Sequence, residues 1–144
     1  MQRRLLLQGA VGSGLVLAGL PVRACEFFAS TLRVTHPWTR ATPDDATSAI
    51  VCMRFDEVMQ DERLVGIDTP VATGAELLRG DTPGAIDLPI PRGRETLLSE
   101  RGTRLRLTGL TMPLEVGRSY PLRLHFESAG LLRAVLTIDY ARFF

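Results

Sequence analysis

Lysine is missing from this sequence: all seventeen basic residues are Arg. The absence reads as coding bias and carries no function by itself. Sixteen acidic residues interleave with the Arg, leaving a formal charge of +1. That balance gives no electrostatic footprint for nucleic acid or for an acidic membrane surface. Soft metal donors are scarce, with two Cys, two His and four Met. Thr73 to Gly109 contains no His, Met or Cys at all. There is no nucleophile elbow, no His-Glu metal helix and no phosphate loop, and the carboxylates are scattered without pairing. These absences argue against an enzyme. Repeats, linkers and low-complexity tracts are lacking too, and 144 residues suffice for one domain.

The chain opens on a targeting layout. Arg3-Arg4 is followed by an apolar stretch from Leu5 to Leu20, and Pro21-Val22-Arg23-Ala24 closes it. A basic start, an apolar run and a small-residue end form a bacterial signal peptide with cleavage after Ala24. The Arg pair also fits a twin-arginine signal. As a helix the run is about 24 Å long, short of a hydrocarbon core of about 30 Å. The expected division is therefore 1–24 as signal peptide and 25–144 as a periplasmic β domain. Removing the leader leaves fourteen Arg against sixteen acids, a formal charge of about −2.

Cys25 would be the first mature residue. Val22-Arg23-Ala24-Cys25 is a poor lipoprotein box because of Arg23, and a membrane enters the picture only if Cys25 is lipidated. An oxidising compartment permits a Cys25–Cys52 disulfide. Two separate thiols, with Cys52 buried in a strand, is the other reading.

The helical period is absent from most of the remaining chain, whereas two-residue alternation is plentiful. Tyr120, Leu122, Leu124 and Phe126 alternate with Pro121, Arg123 and His125, and Leu132, Ala134, Leu136 and Ile138 alternate with Arg133, Val135 and Thr137. Leu105 and Leu107 do the same between Arg104, Arg106 and Thr108. These patterns predict half-buried strands. Further strands are predicted at Leu32–His36, Ser48–Phe55, Leu64–Asp68, Ala75–Leu78 and Glu95–Leu98. Turn signals lie between them, among them Asp81-Thr82-Pro83-Gly84, Pro91-Arg92-Gly93 and Glu115-Val116-Gly117. Many short strands with Gly/Pro turns predict an all-β sandwich or Greek-key barrel. The three aromatics of Tyr140-Ala141-Arg142-Phe143-Phe144 are expected to dock onto the body.

Several stretches together resemble the periplasmic copper chaperones of the PCu(A)C family. They are Val34-Thr35-His36-Pro37-Trp38-Thr39-Arg40-Ala41-Thr42; Arg63-Leu64-Val65-Gly66 with Thr69-Pro70-Val71-Ala72 and Glu76-Leu77; Leu107 to Leu114 with Gly117; and Pro121-Leu122-Arg123-Leu124-His125-Phe126. Their order and spacing agree over roughly residues 32–138. The resemblance implies a cupredoxin-like β-barrel and a family role in carrying Cu(I) toward respiratory oxidase assembly.

The family's copper ligands are a His after the Glu-Leu pair, a Met a little downstream, and a His-x-Met before the Gly-Leu turn. Here those positions hold Leu78, a stretch from Arg79 to Ile86 without Met or His, and Arg104-Leu105-Arg106. A guanidinium stays protonated and has no lone pair for a metal. The expectation is thus a divergent copy with no cofactor, whose Arg79, Arg104 and Arg106 form a candidate patch for an anion or an acidic protein partner. A plainer reading pairs these Arg with Glu76, Asp81 or Glu100. The alternative keeps Cu(I) through other donors, His36, His125, Met53, Met59, Met112, Cys25 and Cys52, or through a site shared between two chains. His36 and His125 read as surface residues and Met53 as core.

Overall fold

The structure, a computed structural model, describes residues 25–140. The leader and the end of the aromatic tail lie outside the described residues. Alternation in the sequence becomes alternation in burial. In β10 (Ser119–Phe126) Leu122, Leu124 and Phe126 are buried while Pro121 and Arg123 are exposed. In β11 (Gly130–Asp139) Ala134, Leu136 and Ile138 point inward. The other predicted strands form as β2 (Arg33–Arg40), β3 (Ser48–Asp56), β4 (Glu62–Asp68), β5 (Ala72–Arg79), β8 (Thr96–Leu98) and β9 (Arg104–Leu110). Three short strands escaped the alternation pattern: β1 (Glu26–Phe28), β6 (Thr82–Gly84) and β7 (Leu88–Ile90). Three residues are too few to show a period. No helix occurs among the described residues.

Nine strands run in the order β6-β5-β9-β3-β2-β11-β10-β4-β7, with β1 added to β2 and β8 to β3. Among the described residues only the β11–β2 pair is parallel. β4 and β5 lie near opposite ends of this order, yet only Thr69, Pro70 and Val71 join them. So short a connection forces the sheet to curl into an open half barrel. Its concave side holds the core of Met53, Phe55, Leu64, Leu77, Leu105, Leu107, Leu122, Leu124 and Leu136. Phe55 and Phe126 meet edge to face, with ring centroids 6.1 Å apart.

Two predicted boundaries moved. The turn expected at Asp81–Gly84 sits one step earlier, because Arg79 pairs with Thr82 and leaves Gly80-Asp81 as a two-residue hairpin loop. Gly80 supplies the positive φ (61°) that such a loop needs. Pro83 is tolerated in β6 because β6 is an edge strand.

The strand predicted to stop at His36 continues to Arg40 through a β-bulge. Thr35 pairs with Arg54 and Trp38 with Cys52, so His36 and Pro37 together oppose Met53. His36 takes φ 52°, and Pro37 costs no ladder bond at such a site. The extra residue reverses the alternation. Before it the core side chain is Val34; after it the inward ones are Pro37 and Thr39, and Trp38 and Arg40 turn to the convex face.

A buried carboxylate closes the opposite end. Glu62, 6% exposed, accepts hydrogen bonds from Thr31 Oγ1 (2.8 Å) and from the backbone N–H groups of Arg63 (3.0 Å), Ser128 (2.8 Å) and Ala129 (3.0 Å). Burial pushes its pKa up, but the bonds from Ser128, Arg63, Thr31 and Ala129 outweigh burial and hold it below the ordinary value.

Candidate functional site

The positions that the copper-chaperone resemblance singles out come together on the convex face of β5 and β9. Leu77, Leu105 and Leu107 face the core, so alternation sends Glu76, Leu78, Arg104 and Arg106 to the other side. The antiparallel ladder places Leu78 opposite Arg104 and Glu76 opposite Arg106. On the far side of β9, Arg106 is also opposite Ile50 of β3. Cross-strand neighbours of this kind have Cβ atoms about 5 Å apart, a spacing that one ion or one ligand group can bridge.

Both Arg of this face have partners. Arg106 Nη2 donates to both oxygens of Glu76, at 3.0 and 3.2 Å. Arg104 Nη1 donates to the Gly102 carbonyl at 3.0 Å, and its other nitrogen stands 3.9 Å from Asp81. Leu78, only 3% exposed, supplies an apolar floor. Arg79 does not join them. It falls on the Leu77 side of β5 and donates to the Asp87 carbonyl at 2.5 Å. The three-Arg patch is therefore an Arg104/Arg106 pair. Of the carboxylates expected to meet these Arg, Glu76 and Asp81 do so, whereas Glu100 binds Arg40 through two 2.6 Å hydrogen bonds.

The same face continues across β3 and β2. Cys52 is 1% exposed yet lies outside the core cluster, on the convex side with Ile50. Burial raises its thiol pKa to about 11; Glu100 adds to the rise, and Arg40 and Arg104 oppose it. Trp38, Cys52, Leu97 and Leu98 line a groove there. Sequence reasoning passed over this groove, because the bulge that turns Trp38 outward leaves no periodic signal.

The two cysteines are unbonded. The Cys25 carbonyl accepts the His36 N–H at 2.5 Å on one side of β2, and Cys52 pairs with Trp38 on the other. With β2 between them they stand about two strand spacings apart, roughly 10 Å, beyond the ~7 Å that a disulfide spans.

The remaining soft donors are dispersed. His36 stacks on Trp38 with centroids 6.4 Å apart. His125 Nε2 is 2.7 Å from Asp68 Oδ2. The hydrogen bond from His125, with help from Arg123, holds the Asp68 carboxyl below its usual range. Met53 is in the core, and Met59 and Met112 are exposed in separate loops.

Residues 32–138 match the model of the LpqE-like family, described as "Putative lipoprotein LpqE-like". The chain belongs to the LpqE-like family. This LpqE-like chain is also similar to solved PCuAC domains. The copper-bound PCuAC domain from PmoF2 is 19% identical, covers 81% of this chain and 98% of that one, and superposes with a TM-score of 0.74. The apo PCuAC domain from PmoF1 is 24% identical, with 81% and 99% covered and a TM-score of 0.73. The Cu(I) form of DR1885 from Deinococcus radiodurans is 26% identical, with 77% and 81% covered and a TM-score of 0.62. No curated protein matches the chain. The PCu(A)C resemblance read from the sequence and the cupredoxin-like β fold it implied are both shown.

Proposed function

We propose that this LpqE-like protein is an exported, non-catalytic binding protein in which the family's copper-carrying positions no longer hold Cu(I). The observation that carries the reading is the Glu76–Arg106 ion pair beside the Leu78–Arg104 pair. Cu(I) takes thioether, thiolate and imidazole donors. A leucine and two guanidinium groups offer none, and the guanidinium charges repel a cation. The same two Arg suit carboxylate or phosphate oxygens, so the face is read as a contact for an acidic protein partner or an anion. Export to the periplasm is supported by the leader layout of residues 1–24 and by the family's description as lipoproteins.

A Cu(I) titration of residues 25–144 against a competing chelator under reducing conditions tests the reading. The expected result is no binding tighter than micromolar. Tight stoichiometric binding would overturn it, and would favour copper delivery through Met and Cys donors. One contact points that way: the Cys25–His36 backbone bond brings a thiol-bearing and an imidazole-bearing residue side by side. Reversing both charges, Arg104→Glu with Arg106→Glu, tests the partner face. Unchanged partner pull-down and anion binding would remove it.

A further inference from the structure

The bulge that turns Trp38 outward also opens a trough across the convex face. Trp38 is braced there. The Arg40 guanidinium carbon lies 5.2 Å from its ring centroid, and the His36 ring stacks on it at 6.4 Å. Arg40 is held in turn by Glu100 and, through Nη1, by the Tyr140 carbonyl at 2.9 Å. Two depressions meet at Trp38, Leu97 and Leu98. One runs toward Thr35, His36 and Arg54. The other encloses about 480 Å³ and ends at Ser99, Glu100 and Arg101. The trough is therefore amphipathic. Its middle offers the Trp38 ring and Leu97, which is 59% exposed, over buried Cys52 and Leu98. Its ends are polar and charged.

The charges do not balance. Arg40 binds Glu100, so those two cancel. Arg54 is answered by Asp56 at 3.4 Å. Arg101 is exposed and makes no ion pair among the described residues. Arg104 borders the same floor: with Arg40 it opposes the rise in the Cys52 pKa. Its carboxylate neighbour is the fully exposed Asp81, 3.9 Å away. Two guanidinium groups beside an exposed apolar strip fit carboxylates that flank a large apolar side chain. The trough crosses β2, β3 and β8, two strand spacings or about 10 Å. Three residues of an extended peptide cover that distance. A free anion would use the Arg and leave Trp38 and Leu97 wet. A second copy docking this face on itself would set Arg101 and Arg104 against their own kind, a like-charge contact that opposes it.

We propose that the trough binds an acidic segment of a protein partner, with an aromatic side chain seated against Trp38 and Leu97 and the flanking carboxylates held by Arg101 and Arg104. This rests on the reading of the convex face as a contact for an acidic partner, and adds the anchor that gives such a contact specificity. The Trp38 ring offers an edge-to-face partner to the incoming ring, and the volume falls within the range of about 300–1,000 Å³ usual for ligand sites.

Trp38 is the only Trp, so its emission reports on the trough. The probe is the end-blocked peptide Asp-Asp-Phe-Asp-Asp, titrated into the intact chain at low salt. A saturable blue shift and protection from acrylamide are expected. Asp-Asp-Ser-Asp-Asp, which lacks the anchor, and Lys-Lys-Phe-Lys-Lys, which reverses the charge, should bind at least ~10-fold more weakly. Arg101→Glu and Leu97→Ser should each weaken the first peptide at least ~5-fold. Both positions are exposed, so neither substitution touches the core. No saturable change up to millimolar peptide would overturn the proposal, as would equal binding of the basic peptide. So would protection of Trp38 that grows with protein concentration in the absence of peptide, since that assigns the trough to a second copy. If reversal of Arg104 and Arg106 abolishes partner pull-down while Arg101→Glu and Leu97→Ser leave pull-down and peptide binding unchanged, the trough falls and the acidic-partner reading stands. No metal enters these readouts, so tight Cu(I) binding would overturn the copper-free reading and leave the peptide result intact.

Discussion

Leu78 and Arg104 are direct partners across the β5–β9 ladder, and both side chains stand on the convex face. The first of these positions is where the PCu(A)C resemblance expects His, and the second begins the expected His-x-Met. The positions the resemblance expects to be ligands are thus sheet neighbours, held here by a leucine and guanidinium groups. Leu78→His, Arg104→His and Arg106→Met together should restore Cu(I) binding, with affinity at least ~10-fold above the parent chain, or about 1.4 kcal/mol. Competition against a Cu(I) chelator measures it. If the triple variant binds no better than the parent, these positions are not equivalent to the family's.

The Glu76–Arg106 pair is partly exposed, with side chains 23% and 35% accessible. A double-mutant cycle with Glu76→Gln and Arg106→Gln in urea unfolding should give a coupling of about 0.2–1 kcal/mol. High salt should shrink it, since the pair is reached by solvent. A coupling that ignores salt would mean the pair is dry.

Glu62 is the one buried carboxylate among the described residues. Glu62→Ala strands three backbone donors and one hydroxyl and should cost about 2–3 kcal/mol. Its folded pKa lies below the unfolded value, so its contribution is fully present above the unfolded pKa and is lost as pH falls through the folded one. Acid titration of stability in parent and Glu62→Gln checks the sign. The parent should lose its advantage below about pH 4.5, and the variant curve should be flatter there.

Reductant should leave the melting temperature unchanged, because β2 separates Cys25 from Cys52. The Cys52 thiol, raised to about 11, should react slowly with thiol reagents at pH 8 compared with Cys25. A drop in melting temperature on reduction would show that the two cysteines are joined after all.

Much of the sheet was legible because Leu122, Leu124 and Phe126 and their counterparts follow a strict two-residue period. The strand at Leu105 and Leu107 was readable for the same reason, and with it the outward direction of Arg104 and Arg106. Glu76, Asp81 and Glu100 were all plausible partners for those Arg. Only the ladder register assigns Glu76 to Arg106 and leaves Glu100 to Arg40, and register is a property of two strands that neither one encodes alone. Arg79 looked like a third member of the patch because it is close in sequence to Leu78, but adjacent strand residues face opposite ways. The Trp38 groove was invisible, since a bulge breaks the pattern at the point where it matters.

That bulge makes β2 behave like a message with one inserted letter. Upstream of His36 the odd positions face outward; downstream the even ones do. Were β2 a regular strand with His36 paired in the ladder, Trp38 and Arg40 would turn into the barrel and Thr39 would be expelled. One residue of β2 thus decides whether the convex face owns an aromatic platform at all, and the Arg40–Glu100 and Arg40–Tyr140 contacts exist only in the shifted frame.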